Sequence, residues 1–464
     1  MNIQRSQTIV ALATPTGRSG IGVVRLSGEN AFAVAKTITR GKNFDPRPRV
    51  ATLRAICDQT TGETIEEAIF TYFKAPNSFT GEDVIEISCH GSPVLLRRLI
   101  DECLALDARL AEPGEFTLRA LANGKMDLAE AEAIRDLIDA QTTASARQAI
   151  RQLRGELSRQ LQPMKDDLLD VIVVLESALE FVEDDLPQVQ VESIQKRLSD
   201  IAVRTRKLAG TYQAGRLIRE GLRVALIGRP NVGKSSLFNT LLGSERAIVT
   251  EIAGTTRDQI REQFVIENIP ISLIDTAGLR ETTDTVESIG VERSRATMAD
   301  ADIVVVMLDA SEIISSEDRA ILDRVTDQNF IIALNKIDKI SSDDVDDLIA
   351  RIESSISELR PRIIPLSART GEGLDDLKHA LVQPFSTEDI NGSGFLLTDA
   401  RHHDLLMRAV ENIDGSLNEL RSSLSEEIVL IGLHNALRYL GQVTGETSTE
   451  DMLTRIFSTF CIGK

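Results

Sequence analysis

The sequence predicts a multidomain protein of mixed α/β and α class, with an N-terminal α+β domain, a discontinuous helical domain, and an α/β domain inserted into the helical one. Its 464 residues exceed one compact domain and fit roughly three domains of the usual size. The residue pattern changes along the chain, from short strands to helices, then to strands alternating with helices, and back to helices. A phosphate-binding glycine loop follows a strand in the alternating segment, which indicates that this segment is the inserted domain.

The N-terminal domain is expected to span residues 1–120, because strand-like runs there alternate with Gly, Pro, Asn and Ser. These runs are Thr8–Leu12, Gly22–Leu26, Ala68–Phe73 and Asp83–Ile87, and we expect one face of their sheet to be mostly solvated. Helical spacing of apolar residues then predicts the two parts of the helical domain, residues 121–215 and 384–464.

The inserted domain, residues 216–383, contains continuous apolar runs at 224–227, 303–308 and 330–334. Such runs are typical of parallel strands that are covered on both faces. We therefore expect a mainly parallel sheet with helices on both sides.

Composition restricts the class of protein. Hydrophobic residues make up 42% and charged residues 27%, as in soluble globular proteins, and no apolar run approaches the ~20 residues needed to cross a bilayer. A cytoplasmic protein without membrane contact is expected. The net charge of −19 argues against a broad basic surface for nucleic acid, which a partner would have to supply. The four cysteines lack metal-ligand spacing, so a zinc site or disulfide framework has little support.

A phosphate-binding loop follows the run 224–227. The loop reads Gly228-Arg229-Pro230-Asn231-Val232-Gly233-Lys234-Ser235, a GxxxxGKS pattern, with Ser236 next in the predicted helix. Backbone N–H groups of such a loop and the helix N-terminus hold the β-phosphate of a nucleotide. Lys234 would add positive charge at the β and γ oxygens, and the Ser235 hydroxyl can ligate Mg²⁺.

Three further motifs follow strand-like runs. Asp275-Thr276-Ala277-Gly278 would place a carboxylate to hold Mg²⁺ through water and an N–H group beside the γ-phosphate. In Asn335-Lys336-Ile337-Asp338, Asp338 can accept hydrogen bonds from guanine N1–H and the exocyclic amine, a donor pair that adenine lacks. Ser367-Ala368-Arg369 suits a backbone contact to guanine O6. Together the four motifs predict a Ras-like P-loop GTPase domain that hydrolyses GTP.

Two features concern how hydrolysis is triggered. The stretch Thr250-Glu251-Ile252-Ala253-Gly254-Thr255-Thr256 offers threonine hydroxyls that could complete the Mg²⁺ shell only when the γ-phosphate is present, as a switch does. Leu279 stands where Ras-like enzymes carry a glutamine that orients water, and an apolar side chain cannot do this. Another group must orient the water.

The whole chain resembles the MnmE (TrmE) family of tRNA-modification GTPases. The resemblance rests on the GTPase motifs and on the stretches Thr14–Arg18, Gly22–Arg25, Asn77–Asp83, Pro113–Phe116, Gly254–Asp258 and Phe460–Lys464. The terminal Cys-Ile-Gly-Lys beside an inserted GTPase domain is the most specific of these, while Ile337 and Arg369 are mild variations on the family pattern.

This resemblance implies a potassium-dependent GTPase that forms a homodimer, with residues 1–120 as the tetrahydrofolate-binding and dimerisation domain. It assigns the GTP site to residues 231–236, 250–256, 275–278, 335–338 and 367–369, with Ser235 and Thr256 as Mg²⁺ ligands. Asn231, with carbonyls of Thr250, Ile252 and Thr255, would hold a K⁺ ion that neutralises charge as an arginine finger does elsewhere. Two GTPase domains would meet face to face to complete this site. Glu287 would be the catalytic glutamate that orients the attacking water, although without the resemblance the residues favour a solvated surface glutamate.

The resemblance also implies a second site. Arg25, Glu82, Lys125 and Lys464 match residues that bind a reduced folate, 5-formyl- or 5,10-methylene-tetrahydrofolate, as one-carbon donor. Cationic side chains suit the glutamate tail of a folate, and a carboxylate suits the amino-pyrimidine edge of the pterin; without the resemblance, these residues read as surface charges. Cys461 is a candidate catalytic thiol, with a packing role as the alternative.

The implied function is GTP hydrolysis coupled to modification of C5 of wobble uridine 34 in certain tRNAs, to a carboxymethylaminomethyl or aminomethyl derivative. The resemblance implies an FAD-dependent partner, MnmG (GidA), in a heterotetramer that contacts tRNA largely through that partner. Two alternatives stay open. A ribosome-assembly GTPase like Era should add a basic RNA-binding module, and a pure signalling switch would not need folate residues at both ends of the chain.

Overall fold

The computed structural model describes residues 7–41, 44–180, 188–244, 262–274, 301–355, 361–383, 394–422, 426–446 and 450–463. The chain divides into two compact units. One contains residues 1–138, 151–199 and 411–464, and the other contains residues 139–150 and 200–410.

The first unit contains a mixed six-stranded sheet. Its strands are β1 (Ile9–Leu12), β2 (Ser19–Ser27), β3 (Thr52–Cys57), β4 (Thr64–Phe73), β5 (Val84–Gly91) and β6 (Arg109–Leu110), in the order β3-β4-β5-β2-β1-β6. Neighbouring strands are antiparallel, except that β1 and β6 are parallel. The four predicted strand runs coincide with β1, β2, β4 and β5, whereas β3 and β6 were not predicted.

Helices cover more of this sheet than the sequence indicated. On one face, α1 (Ala31–Ile38) and α2 (Pro93–Leu104) enclose a core that includes Leu26, Phe70 and Ile87. On the other face, α3 (Glu115–Ala122) places Phe116 against Ile9 and Ala11. The expected solvated face is therefore confined to the outer strands, where Leu53 is 57% and Ile69 44% exposed.

The helical segments follow the predicted pattern. They are α4 (Leu128–Ile138), α5 (Thr143–Leu153), α6 (Glu156–Glu180), α7 (Gln188–Gly210), α8 (Tyr212–Glu220), and, after the second sheet, α13 (Ala400–Arg421), α14 (Glu426–Thr444) and α15 (Glu450–Phe457). In the first unit α14 packs on α6, and Phe457 and Phe460 join Leu118 and Leu128 in one apolar cluster. This cluster holds the end of the chain against the N-terminal residues.

The second unit contains the predicted mainly parallel sheet. Its strands are β7 (Leu222–Ile227), β8 (Glu262–Ile266), β9 (Ile269–Ile274), β10 (Ile303–Asp309), β11 (Phe330–Asn335) and β12 (Arg362–Pro365), in the order β12-β11-β10-β7-β9-β8. Only the β8–β9 pair is antiparallel within this described sheet. The associated helices are α9 (Lys234–Ser244), α10 (Ser316–Arg324), α11 (Ser342–Ser355) and α12 (Leu374–Val382).

Both faces of this sheet are buried. Val224 and Leu226 of β7 belong to one apolar core, and the intervening Ala225 and Ile227 belong to another. This alternation confirms the prediction, made from continuous apolar runs, of a sheet covered on both sides.

In the described segments, no helix has both the length and the apolar character that crossing a membrane requires.

Candidate functional site

The loop between β7 and α9 has the curled backbone that phosphate binding requires. Gly228, Asn231 and Gly233 have φ angles of 152°, 65° and 103°. A Cβ atom on Gly233 would lie 2.2 Å from Asn335 Nδ2, so both the backbone and the close approach require glycine there. Lys234 Nζ donates hydrogen bonds to the carbonyls of Gly228 and Arg229, both at 2.7 Å. The loop therefore closes around a cation at the N-terminus of α9.

Asn335 joins two of the predicted motifs. Its side chain is buried, Nδ2 donates to the Val232 carbonyl at 2.8 Å, and Oδ1 accepts from the Ala368 N–H at 2.9 Å. Thr240 of α9 adds a third link, because its hydroxyl donates to the Ala368 carbonyl at 2.8 Å. The phosphate loop and the Ser367–Arg369 segment are thus fixed relative to each other.

Asp338 is held by a hydrogen bond and open to solvent. It lies exposed in a single turn of 3₁₀ helix, Ile337–Lys339, and its Oδ1 accepts a hydrogen bond from the buried Ser367 hydroxyl at 2.7 Å. A carboxylate held at one oxygen and open to solvent can accept two N–H donors from a base edge. This geometry suits the guanine edge predicted for Asp338.

Lys336 is held by a carboxylate that sequence reasoning missed. Its Nζ donates to the Asn231 carbonyl at 2.8 Å and pairs with Asp309, whose side chain is only 3% exposed. Burial would raise the pKa of Asp309, but hydrogen bonds from Lys336 and Ser311 outweigh burial and keep that pKa below its ordinary value. A carboxylate ending the apolar run Ile303–Leu308 was the available signal.

Part of the predicted site lies outside the described residues. These positions are Thr250, Glu251, Ile252, Ala253, Gly254, Thr255, Thr256, Asp275, Thr276, Ala277, Gly278, Leu279, Glu287 and Lys464. Of the predicted metal ligands, the structure describes Ser235 and Asn231. Both are exposed at the phosphate loop, and both supply the oxygen donors that Mg²⁺ and K⁺ prefer. Ser236 and Arg369 are also exposed.

In the first unit, Arg25 connects the sheet to the end of the chain. Its Nε and Nη2 donate to Glu86 at 2.9 and 2.7 Å, and its Nη1 donates to the Gly463 carbonyl at 3.2 Å. Its guanidinium carbon lies 5.8 Å from the centre of the Phe116 ring. The structure therefore brings the terminal segment, which the predicted Lys464 ends, next to Arg25.

Glu82 lies on the same face of the sheet as Arg25. It accepts hydrogen bonds from the Ser27 hydroxyl at 2.8 Å and from Arg119 Nη1 at 3.0 and 3.2 Å. Ser27 is two residues from Arg25 on β2, so both side chains point to one face. Lys125 Nζ donates to the Pro76 carbonyl at 2.9 Å, and so contacts the loop that leads to Glu82.

A cavity of about 460 Å³ adjoins Glu82. Its lining residues are Glu29, Ala75, Gly81, Glu82, Asp83, Arg119, Ala122 and Asn123. The volume falls in the range of about 300–1,000 Å³ that is usual for small-molecule sites. Carboxylates on its wall suit a ligand head rich in N–H donors, as a pterin is.

Cys461 is exposed, and its carbonyl accepts a long hydrogen bond of 3.5 Å from the Gly114 N–H.

Sequence reasoning also missed Arg119 and Ser27, the two residues that hold Glu82. A charged residue inside the apolar helical stretch Phe116–Ala122 was the signal for Arg119.

Comparisons with known proteins cover both units. Residues 128–461 match the family model described as MnmE helical domain, and residues 8–125 match that of the GTP-binding protein TrmE N-terminus. The tRNA modification GTPase MnmE of Aquifex aeolicus is 42% identical, covering 99% of this chain and 100% of that protein. The MnmE of Koribacter versatilis is 42% identical over 98% of this chain and 99% of its own length.

Among solved structures, the chain is similar to Era in complex with MgGDPNP and nucleotides of 16S ribosomal RNA. That match has 30% identity and a TM-score of 0.30, and it covers 41% of this chain and 66% of that one.

Proposed function

Because this chain belongs to the MnmE family of tRNA modification GTPases, which are GTP hydrolases that use Mg²⁺, we propose that it modifies wobble uridine 34 by coupling K⁺-dependent GTP hydrolysis to folate chemistry. The observation that carries the GTPase site is Asn335, whose two hydrogen bonds unite the phosphate loop and the guanine-side loop. The named relatives favour this function over ribosome assembly or signalling alone.

At the nucleotide, each described residue has a separate task. Backbone N–H groups of the loop before α9 hold the phosphates, and Lys234 exchanges the carbonyls of Gly228 and Arg229 for phosphate oxygens. Asp338, fixed by Ser367, accepts the two N–H donors of guanine. Ser235, exposed in the first turn of α9, would supply a hydroxyl to Mg²⁺. Thr256, outside the described residues, would supply the second.

Dependence on potassium is the next part of the proposal. Leu279 has no group that could orient water, and the Asn231 side chain is exposed beside the phosphate loop. Asn231, with carbonyls of Thr250, Ile252 and Thr255, would hold K⁺, which supplies positive charge against the phosphates when bound. Glu287 would orient the attacking water, and a second copy of the GTPase domain would close the site.

Hydrolysis rates in KCl and NaCl at equal ionic strength test this part. We expect markedly faster hydrolysis in KCl. We expect Asn231→Gly, which removes the side-chain amide and tolerates the φ of 65°, to abolish that difference while GDP still binds. Equal rates of the unmodified protein in both salts would refute the potassium mechanism. With a transition-state analogue bound, the distance between spin labels on the GTPase domains of the two copies should shorten only in KCl.

Folate binding is proposed for the face of the first sheet that carries Arg25 and Glu82. Glu82 faces a cavity of suitable size, Arg25 lies on the same face, and Lys125 and Lys464 would complete the set. Calorimetry with 5-formyl-tetrahydrofolate tests this. Glu82→Gln should weaken binding, whereas Glu66→Gln, which makes the same charge change on β4, should not. Equal affinity of both variants would contradict the assignment.

The proposed partner is the FAD-dependent protein MnmG, in a cytoplasmic heterotetramer of two copies of each chain. A net charge of −19 supports a partner that provides most of the tRNA contact. Mass spectrometry of tRNA from a deletion strain should show loss of the group at C5 of uridine 34, restored by this chain.

Cys461→Ser tests the proposed thiol, since unchanged modification by a folded variant would remove Cys461 from the mechanism.

A further inference from the structure

A buried arginine lies beside the proposed folate site. Arg119 of α3 is only 2% exposed, although its guanidinium stays charged at any ordinary pH. Burial of a charge is costly unless it is paired and hydrogen-bonded. The hydrogen-bond partners of Arg119 therefore indicate which side chains it positions.

Two carboxylates and one carbonyl satisfy the guanidinium. Nη1 donates to both oxygens of Glu82, at 3.0 and 3.2 Å. Nη2 donates to the Gln7 carbonyl at 2.8 Å and to Glu115 at 2.9 Å, and Nε lies 3.3 Å from the same Glu115 oxygen. Arg119 thus bridges Glu82 and Glu115.

Glu115 has a second cation of its own. Arg109 donates to both of its oxygens, at 2.7 Å for Oε2, and the Glu112 N–H donates to Oε2 at 3.0 Å. Arg109 therefore neutralises the charge of Glu115, and the charge of Arg119 is left to neutralise Glu82. In the part of the chain that the structure describes, Arg119 is the cation and Ser27 the neutral donor that contact the Glu82 carboxylate.

We propose that Arg119 is a positioning residue that fixes the Glu82 carboxylate, across the wall of the cavity, in the orientation that recognises the amino-pyrimidine edge of a reduced folate. This rests on the folate site proposed above. A carboxylate pairs with two parallel N–H donors only when both oxygens lie in the plane of those donors. Arg119 and Ser27 contact Glu82 from the protein side, and Glu82 and Arg119 both line the cavity of about 460 Å³.

The test compares two ligands in Arg119→Lys. Lysine keeps the charge, but its compact ammonium cannot bridge Glu82 and Glu115 as the planar fork does. We expect Kd for 5-formyl-tetrahydrofolate to rise about tenfold or more, the effect of losing one charge-assisted hydrogen bond. An analogue without the 2-amino group should lose much less affinity, because it lacks the donor that Glu82 reads.

Two further variants separate positioning from general damage. Arg109→Lys alters the pairing of Glu115 without touching Glu82, so it should leave folate affinity unchanged. The double variant R119K/E82Q should bind no more weakly than E82Q alone, because Arg119 acts through Glu82.

Each result either supports or overturns the positioning role of Arg119. Equal losses for both ligands in R119K, or unchanged affinity, would overturn the positioning role while leaving the folate site intact. If R119K does not fold, Ser27→Ala removes the other donor to Glu82 and should show the same selective loss to a smaller degree; unchanged selectivity there overturns the proposal. Failure of the unmodified protein to bind 5-formyl-tetrahydrofolate would overturn the folate site itself.

Discussion

Replacing Asn335 should separate the two loops that are proposed to enclose the nucleotide. In Asn335→Ala the buried Val232 carbonyl and Ala368 N–H both lose their partner. Each buried group left unsatisfied costs about 1–3 kcal/mol, so the two together cost about 2–6 kcal/mol. If both loops contact the nucleotide as proposed, at least about 2 kcal/mol of this should appear as weaker GDP binding, which is roughly thirtyfold.

Titration with a fluorescent GDP analogue measures the loss of affinity. Urea unfolding measures the rest of the cost as a lower free energy of unfolding. Asn329→Ala is the matched control, because Asn329 lies exposed just before β11 while Asn335 ends it. Asn335→Asp keeps the acceptor for Ala368 but puts a carboxylate oxygen against the Val232 carbonyl, so its loss should be at least as large. A folded Asn335→Ala that binds GDP within threefold of the unmodified protein would refute the reasoning.

Three further predictions follow from described contacts. Asp338→Asn should shift the base preference from guanine to xanthine nucleotides, because an amide offers one donor and one acceptor where the carboxylate offers two acceptors. Competition between GTP and XTP for binding measures this preference. An unchanged preference for GTP would contradict the proposed role of Asp338. Gly233→Ala should abolish nucleotide binding in titrations, since its φ is 103° and the added Cβ would lie 2.2 Å from Asn335 Nδ2. Burial would raise the pKa of Glu115, but hydrogen bonds from Arg109, the Glu112 N–H and Arg119 hold that pKa below its ordinary value. The ionised carboxylate therefore stabilises the fold fully at a pH above its unfolded-state pKa. This stabilisation is lost as the pH falls through the lower pKa of the folded state. Unfolding free energies from pH 7 down into the acid range should show that loss, and Glu115→Gln should flatten it.

The GTPase part of the fold could be predicted closely, because its signals are local. A buried parallel strand is a continuous apolar run, and ligand groups follow the carboxyl ends of such strands. Strand β10, Ile303–Asp309, coincides with the predicted run 303–308. The role of Asn335 as a link between loops could not be read in the same way, because its partners lie 103 and 33 residues away.

The N-terminal helices were harder to predict for a physical reason. Helix α3 is eight residues long and buried on most sides, including Glu115, Phe116, Leu118 and Arg119, so no exposed polar stripe marks it as a surface helix. Strand β6 has two residues, too few for any alternation. The same burial concealed Arg119, which looks like a surface charge until its two carboxylate partners are known.

The two proposed recognition carboxylates are held in different ways, and burial explains the difference. Asp338 is exposed, so water stabilises its charge and the neutral Ser367 hydroxyl is enough to orient it. The Glu82 side chain is 17% exposed and loses most of that hydration, so a neutral donor alone would leave the charge costly; Arg119 offsets this cost while it fixes the orientation. Loss of the holding residue should therefore weaken ligand binding more at Glu82 than at Asp338, where solvent replaces the missing hydroxyl. Comparing Ser367→Ala with Arg119→Lys, each against its own ligand, measures that difference, and a larger loss in Ser367→Ala would show that burial does not govern it.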